Sequence, residues 1–280
     1  MNNAEHTYTL PTGVTTITIS MLDEIRYLKH ITHVIIPQGV TSIEEKAFQD
    51  CKHITSITIP KSVVEIGDWA FYRCSSLTSI TIPYGVTQIR LGVFSGCSSL
   101  ASLAIPNSVK DICWHAFKDC SSLTTINIPD SVTDIHHRAF NRCKNLSSIT
   151  IPNSVSYIGG NTFADCSSLT SITIGDTDTI THISKNAFSG CSSLLFICVP
   201  ILTKRLNENF CTFIGINIEK TTLINQNQLS TWASNKKFSN IYSYRELAVL
   251  YQLQKDDNFT PSWPELGKLA PNLLMGDLLK

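Results

Sequence analysis

Cysteine is the residue of this sequence with the most chemistry to offer, and its spacing decides which chemistry applies. Cys51, Cys74, Cys97, Cys120, Cys143 and Cys166 follow one another at intervals of 23 residues, and Cys191 comes 25 residues later. A column of this kind could supply disulfides, metal ligands or buried hydrogen-bond donors. Disulfides need Cβ atoms that face one another, whereas side chains pointing inward from stacked parallel positions do not. Seven is also an odd number to pair. The reading adopted is a column of small reduced thiols, each weak S–H meeting the backbone of a turn. Such thiols suit a reducing compartment.

Histidine is the second candidate. Between the isoleucine and the phenylalanine of successive periods the chain reads Gly67-Asp68-Trp69, Arg90-Leu91-Gly92, Cys113-Trp114-His115 and His136-His137-Arg138. One period separates Cys113 from His136, Trp114 from His137 and His115 from Arg138. Cysteine and histidine on neighbouring turns raise the question of zinc, but four oriented ligands are required. No ligand spacing is defined, and Arg138 is a poor neighbour for a cation, so no metal is assigned. The group Trp69, Trp114, His115, His136, His137 and Arg138 better suits contact with another protein, since aromatic residues and arginine are enriched at interfaces. The alternative is drift on an outer face that the core does not constrain. No nucleophile elbow, phosphate loop, paired metal motif or dinucleotide fingerprint is present. The sequence therefore points to no catalytic residue, no cofactor and no enzymatic function.

The elements that must position these residues follow from the same period. Three residues after each cysteine stands an aliphatic: Ile54, Leu77, Leu100, Leu123, Leu146, Leu169 and Leu194. Six and eight after it come pairs such as Ile57 with Ile59, Ile80 with Ile82 and Ile126 with Ile128, closed by Pro60, Pro83 and Pro129. Valine then recurs from Val40 to Val155, isoleucine from Ile43 to Ile183, and a small residue with phenylalanine from Ala47-Phe48 to Ala187-Phe188. Alternation as in Ile80-Thr81-Ile82 is the period of a short strand, and the proline after it cannot donate to a ladder. The chain then reverses, and a short helical or 3₁₀ turn carries the phenylalanine inward. One such unit cannot bury its faces, but a stack can, giving a parallel sheet on one side of an aliphatic and phenylalanine core.

The unit Cys-x-x-Leu-x-x-Ile-x-Ile-Pro-x-x-Val-x-x-Ile-x-x-x-Ala-Phe resembles the BspA-like, or Treponema-type, leucine-rich repeat. The resemblance implies an α/β repeat fold, a leucine-rich-repeat solenoid with a parallel β-sheet. It divides the chain into a degenerate N-terminal capping repeat (1–27), 23-residue repeats (28–200) and a C-terminal cap or small helical domain (201–280). Nine strands are expected, the first from the stretched unit Tyr8-Thr9-Leu10-Pro11. The resemblance further implies recognition of another protein: either as an effector that meets a host protein, or as a surface adhesin.

The outward strand residues, such as Thr58, Thr81, Ala104, Asn127 and Thr150, make a flat and small polar surface without the aromatic or arginine anchors of tight interfaces. Leu195 and Phe196 at the far end are better contact candidates, for a partner or for the following segment. In that segment Ile214, Ile216 and Ile218 alternate as a last strand would. Ser243 with Glu246 and Ser262 with Glu265 are capping-box patterns that predict short helices. A small catalytic or adaptor module there is a further alternative. Lys plus Arg and Asp plus Glu number 22 each, and no basic stripe stands out, so no nucleic-acid partner is expected. No run of about 18 apolar residues predicts a membrane span. With no signal segment legible at the start, the expected location is cytoplasmic, or within a host cell after delivery.

Overall fold

The computed structural model describes residues 6–175 and 182–194, and the backbone of the strands Phe196–Val199 and Thr222–Asn225. Leu195, the expected strand at 214–218 and the expected C-terminal helices lie outside the described residues.

The chain winds as a solenoid in which each unit pairs with the one 23 residues on. Thr7–Thr9, His33–Ile35, Ser56–Thr58 and Ser79–Ile80 lie side by side in parallel, and Ser102–Ala104 pairs with Thr125–Asn127. Ser148–Ile151, Ser171–Ile174, Phe196–Val199 and Thr222–Asn225 continue the series. The register puts Val34 beside Ile57 and Ile57 beside Ile80. These aliphatics are buried, while Thr58, Thr81 and Ala104 between them are exposed. The leading unit pairs Thr7 with His33, an interval of 26 that carries the expected three-residue stretch. Thr222–Asn225, a strand beyond the nine expected of the repeats, pairs in register with Phe196–Val199.

The rest of each unit departs from expectation in two ways. A second set of parallel strands runs along the solenoid: Thr16–Ile17, Ser42–Ile43 and Glu65–Ile66, then Gln88–Ile89, Asp111–Ile112, Asp134–Ile135, Tyr157–Ile158 and His182–Ile183. Each is two residues long, with its isoleucine turned inward. The core therefore lies between two parallel ladders and not behind one sheet. Second, the described residues contain no α-helix. Their helical segments are 3₁₀ turns, at Ser20–Leu22 and Ile25–Tyr27 in the first unit and at His6.

In later units an arc of turns takes the place of the expected helix. Each arc carries two residues in the left-handed region. The first position holds Lys46, Trp69, His115, Arg138, Asn161 and Asn186 at φ of 55° to 59°, and the second Asp50, Arg73, Asp119, Arg142 and Asp165 at 57° to 62°. Glycine fills both positions in one unit, at Gly92 and Gly96, and the second position in the unit of Asn186, at Gly190. Such residues each cost about 1–2 kcal/mol unless glycine, so the surroundings must over-determine them. They do so through hydrogen bonds between units. The N–H groups of Lys46, Phe48 and Asp50 donate to the carbonyls of Asp68, Ala70 and Tyr72 at 2.8–3.0 Å. Trp69, Phe71 and Arg73 donate in turn to Leu91, Val93 and Ser95. The pattern continues to Phe163 and Asp165, which donate to Ala187 and Ser189, always in the same direction. A single helical turn would leave most of its backbone groups without partners. The arc pairs them with the next unit instead.

Inside, Phe71, Phe94, Phe117, Phe140, Phe163 and Phe188 form a continuous stack with centroids 5.2–5.5 Å apart, joined at its start by Phe48. Thr162, which stands in the alanine column, is buried but satisfied, its hydroxyl donating to Gly159 O at 2.6 Å.

Candidate functional site

The thiol column has the role its spacing predicts. Cys74 Sγ donates to Phe48 O at 3.0 Å, and Cys97, Cys120, Cys143, Cys166 and Cys191 repeat the bond on the phenylalanine carbonyl of the preceding unit at 3.1–3.2 Å. Each of these carbonyls also accepts a backbone N–H within its own turn, as Phe48 O does from Cys51. The thiol thus occupies its second lone pair. All are free thiols. Burial pushes Cys51 up to about 11 and Cys191 up to about 12, and raises the others well above the ordinary thiol range. A thiol held protonated is a poor nucleophile and metal ligand. The column is structural.

Chemistry available to another molecule lies on the arcs. Trp69, at a left-handed position, leans over Gly92 in the next unit, where any Cβ would run into its ring. It meets Tyr72 edge-on at 5.0 Å and His115, two units on, edge-on at 6.1 Å. Beside them the side chains of the intervening unit shrink to Ser95, Gly96 and Ser98, while the flanking units present Tyr72 and Arg73 on one side and Lys118 and Asp119 on the other. The result is a groove of about 390 Å³. The Arg73 guanidinium lies over the Tyr72 ring at 5.1 Å. Asp119 is held by Arg142 Nε at 3.4 Å and Lys118 Nζ at 3.7 Å. Partial burial, with the nearby charges of Lys118 and Arg138, holds the His115 imidazole below its usual value.

A second aromatic strip runs along the later units. Trp114, 54% exposed, lies 5.4 Å from the His137 ring. His137 Nδ1 accepts the N–H of Gly160 at 3.1 Å, which leaves Nε2 as the protonated nitrogen that donates to Tyr157 Oη at 3.0 Å. Tyr157 also neighbours His136 at 5.7 Å and stacks on His182 at 5.3 Å.

The sequence-predicted residues therefore divide between two places. Trp69 and His115 belong to the groove, and Trp114, His136 and His137 to the strip. Arg138 is exposed beside His115 and acts on it through its charge. Leu195 lies outside the described residues, and only the backbone of Phe196 is described. Tyr72, Arg73, Lys118, Asp119 and Tyr157 escaped sequence reasoning because they lie three or four positions beyond the variable triplets, or in the second ladder. The signal that could have found the groove is the coincidence of Gly92, Ser95 and Gly96 in one unit. Burial raises the Cys113 thiol to about 11, with Asp111 adding to it. Among the described residues no three His, Cys, Asp or Glu side chains are grouped as a metal would need. No helix among them is long and apolar enough to cross a membrane.

The model of the BspA type leucine rich repeat region matches in six copies, over residues 21–144 and 110–245. Among solved structures, a leucine rich cell surface protein from Faecalibacterium prausnitzii is 28% identical, with a TM-score of 0.54. That match covers 70% of this chain and 64% of the other, so the chain spans slightly less than two thirds of that relative. A leucine-rich repeat protein from Bacteroides ovatus, 21% identical over 84% of this chain and 74% of its own, has a TM-score of 0.50 and shares the fold. The leucine rich repeat protein of Treponema pallidum is 25% identical over 69% of this chain and 86% of its own, with a TM-score of 0.44. A comparison with curated proteins finds no match. With its 23-residue units, paired ladders and a family match across most of its length, the chain belongs to the BspA-type leucine-rich-repeat family.

Proposed function

We propose that this protein is a non-catalytic scaffold that binds another protein through the arc face of its solenoid. The observation that carries this reading is the grouping of Trp69, Tyr72, Arg73 and His115 around one groove, with the exposed Trp114 on His137 close by. Large aromatics held by their neighbours present contact area at little cost in side-chain entropy, and such residues with arginine dominate binding energy at interfaces. By contrast the outer face of the first sheet carries Thr58, Thr81, Ala104, Asn127 and Thr150, small residues with little anchoring area.

The setting we propose is intracellular: the cytoplasm, or a host cell into which the protein is delivered as an effector. Its free thiols fit a reducing compartment. A second reading, a cell-surface adhesin, is favoured by the Faecalibacterium relative described as a cell surface protein. Protease treatment of intact cells separates the two, because only a surface protein is cut. The binding role is tested by affinity capture from bacterial and eukaryotic lysates with the full chain and with a Trp69→Ala, Trp114→Ala double variant. A specific protein held by the wild type and lost by the variant supports the reading. Capture of none, or of one that the variant retains, removes this face from consideration.

A further inference from the structure

The second left-handed position of each arc forms a column along the solenoid: Asp50, Arg73, Gly96, Asp119, Arg142, Asp165 and, at its end, Gly190. Charges along it alternate, and neighbours can neutralise one another, as Arg142 does Asp119 at 3.4 Å. Gly96 interrupts the series. It removes a side chain between Arg73 and Asp119, opening the floor of the groove, and leaves Arg73 without a carboxylate on that side. On its other side Asp50 is engaged by Lys52 at 3.4 Å and by Gln49 at 3.3 Å. Among the described residues no carboxylate lies within ion-pair distance of Arg73, which rests on Tyr72 instead. Lys118 stands on the opposite wall, two units and so about 9.6 Å along the axis. It shares Asp119 with Arg142. Of the charges at the groove two walls are cationic, and the single carboxylate is already paired twice. Burial, and after it the charges of Lys118 and Arg138, lowers the pKa of the His115 ring at its end.

We infer that this groove takes an acidic segment of a partner protein: a glutamate or aspartate carboxylate set between Arg73 and Lys118, with an adjacent apolar side chain against Trp69 and Tyr72. Charge complementarity selects the carboxylate, since a surplus of unpaired cation in a concave, partly desolvated site favours charge-assisted hydrogen bonds. The two aromatic rings select its neighbour. The inference rests on the scaffold reading and gives it a ligand chemistry.

The test pans a displayed library of random dodecapeptides on the full chain and measures the selected peptides by fluorescence anisotropy. Enrichment of peptides with an acidic residue beside an apolar one is expected. Their affinity should fall about tenfold in an Arg73→Ser, Lys118→Ser double variant, the loss of two charge-assisted contacts, and stay unchanged in Lys61→Ser, which removes an exposed cation that does not line the groove. A Gly96→Asp variant should lose binding as strongly. It fills the floor and restores the missing carboxylate, and Asp50, Asp119 and Asp165 already occupy the same backbone conformation without glycine. Peptides without acidic residues, or acidic peptides indifferent to the groove variants, would overturn the inference while leaving the scaffold reading intact. Capture of anionic glycans on an array, with no peptide selected, would overturn it in favour of a carbohydrate. A lysate partner that is lost on Trp69→Ala, Trp114→Ala but kept by Gly96→Asp would separate the two conclusions in the same way.

Discussion

At the scale of single residues, the buried thiols make the clearest statement. From Cys74 to Cys191 each thiol of the column donates to a phenylalanine carbonyl, and each has its ionisation pushed upward by burial. A group whose folded value is raised contributes stability that is whole below its unfolded value and lost as pH rises through the window between the two. The midpoint of thermal unfolding is therefore expected to fall as pH climbs above 9.0, and to fall less in a Cys97→Ala, Cys120→Ala variant. A pH series of calorimetric scans measures both. At neutral pH Cys97→Ala alone should cost about 1–3 kcal/mol, since it leaves a lone pair unfilled and a small cavity. Chemical denaturation provides that number. The role of these cysteines was legible in the sequence because a column at fixed spacing can have only one environment. The groove was not legible, because it is made by absence. Gly92, Ser95 and Gly96 gain meaning only when their neighbours in space are Trp69, Arg73, Lys118 and Asp119, which a reading along the chain does not bring together. A Gly92→Ala substitution tests that arrangement, because the new Cβ must displace the indole of Trp69. A shift in tryptophan emission is expected, and an unchanged spectrum would mean that the ring does not rest there.

At the scale of elements, the first sheet announced itself through alternation and the proline that ends each strand. The second ladder did not. A strand of two residues contributes one inward isoleucine, and one residue carries no period. The arcs were hidden for a different reason. Lys46, Trp69 and Arg138 are not residues that sequence rules place at positive φ, and it is the cross-unit hydrogen bonds that hold them there. The strength of this arrangement can be measured at its start and at its middle. Arg26 Nη2 caps Ala47 O at 3.4 Å from the 3₁₀ turn of the first unit, where no earlier arc can donate, and pairs with Asp23 at 3.7 Å. Arg26→Met should keep the packing of the stem and lose the cap. Amide exchange of residues 46–50 is then expected to quicken by about fivefold, corresponding to about 1 kcal/mol. Equal protection in both proteins would show that the cap is idle. Further in, Phe117 is fully buried between Phe94 at 5.5 Å and Phe140 at 5.2 Å. Phe117→Ala should cost about 3–5 kcal/mol, read from urea titration.

For the whole molecule, the fold is a sum of like units and their junctions, so its length is adjustable in whole steps. Removing residues 121–143 joins Cys120 to Lys144 in unbroken register. The shortened protein is expected to fold with the same circular dichroism per residue and a smaller denaturant slope, because less surface is exposed on unfolding. A deletion one residue shorter should fail, since the slip turns every inward side chain of a strand outward. The one-way bonds of the arcs have a last consequence at this scale. Three peptide groups per unit all point their N–H toward the C-terminal side, and units rise by about 4.8 Å. An α-helix aligns 3.6 peptides per 5.4 Å, so the two have nearly the same density of aligned dipoles. The arc edge is thus an electrical equivalent of a helix that contains no helix, and its sense is reversed relative to the chain. The negative pole falls at the first arc, where the guanidinium of Arg26 sits, as a basic residue sits at the end of a helix.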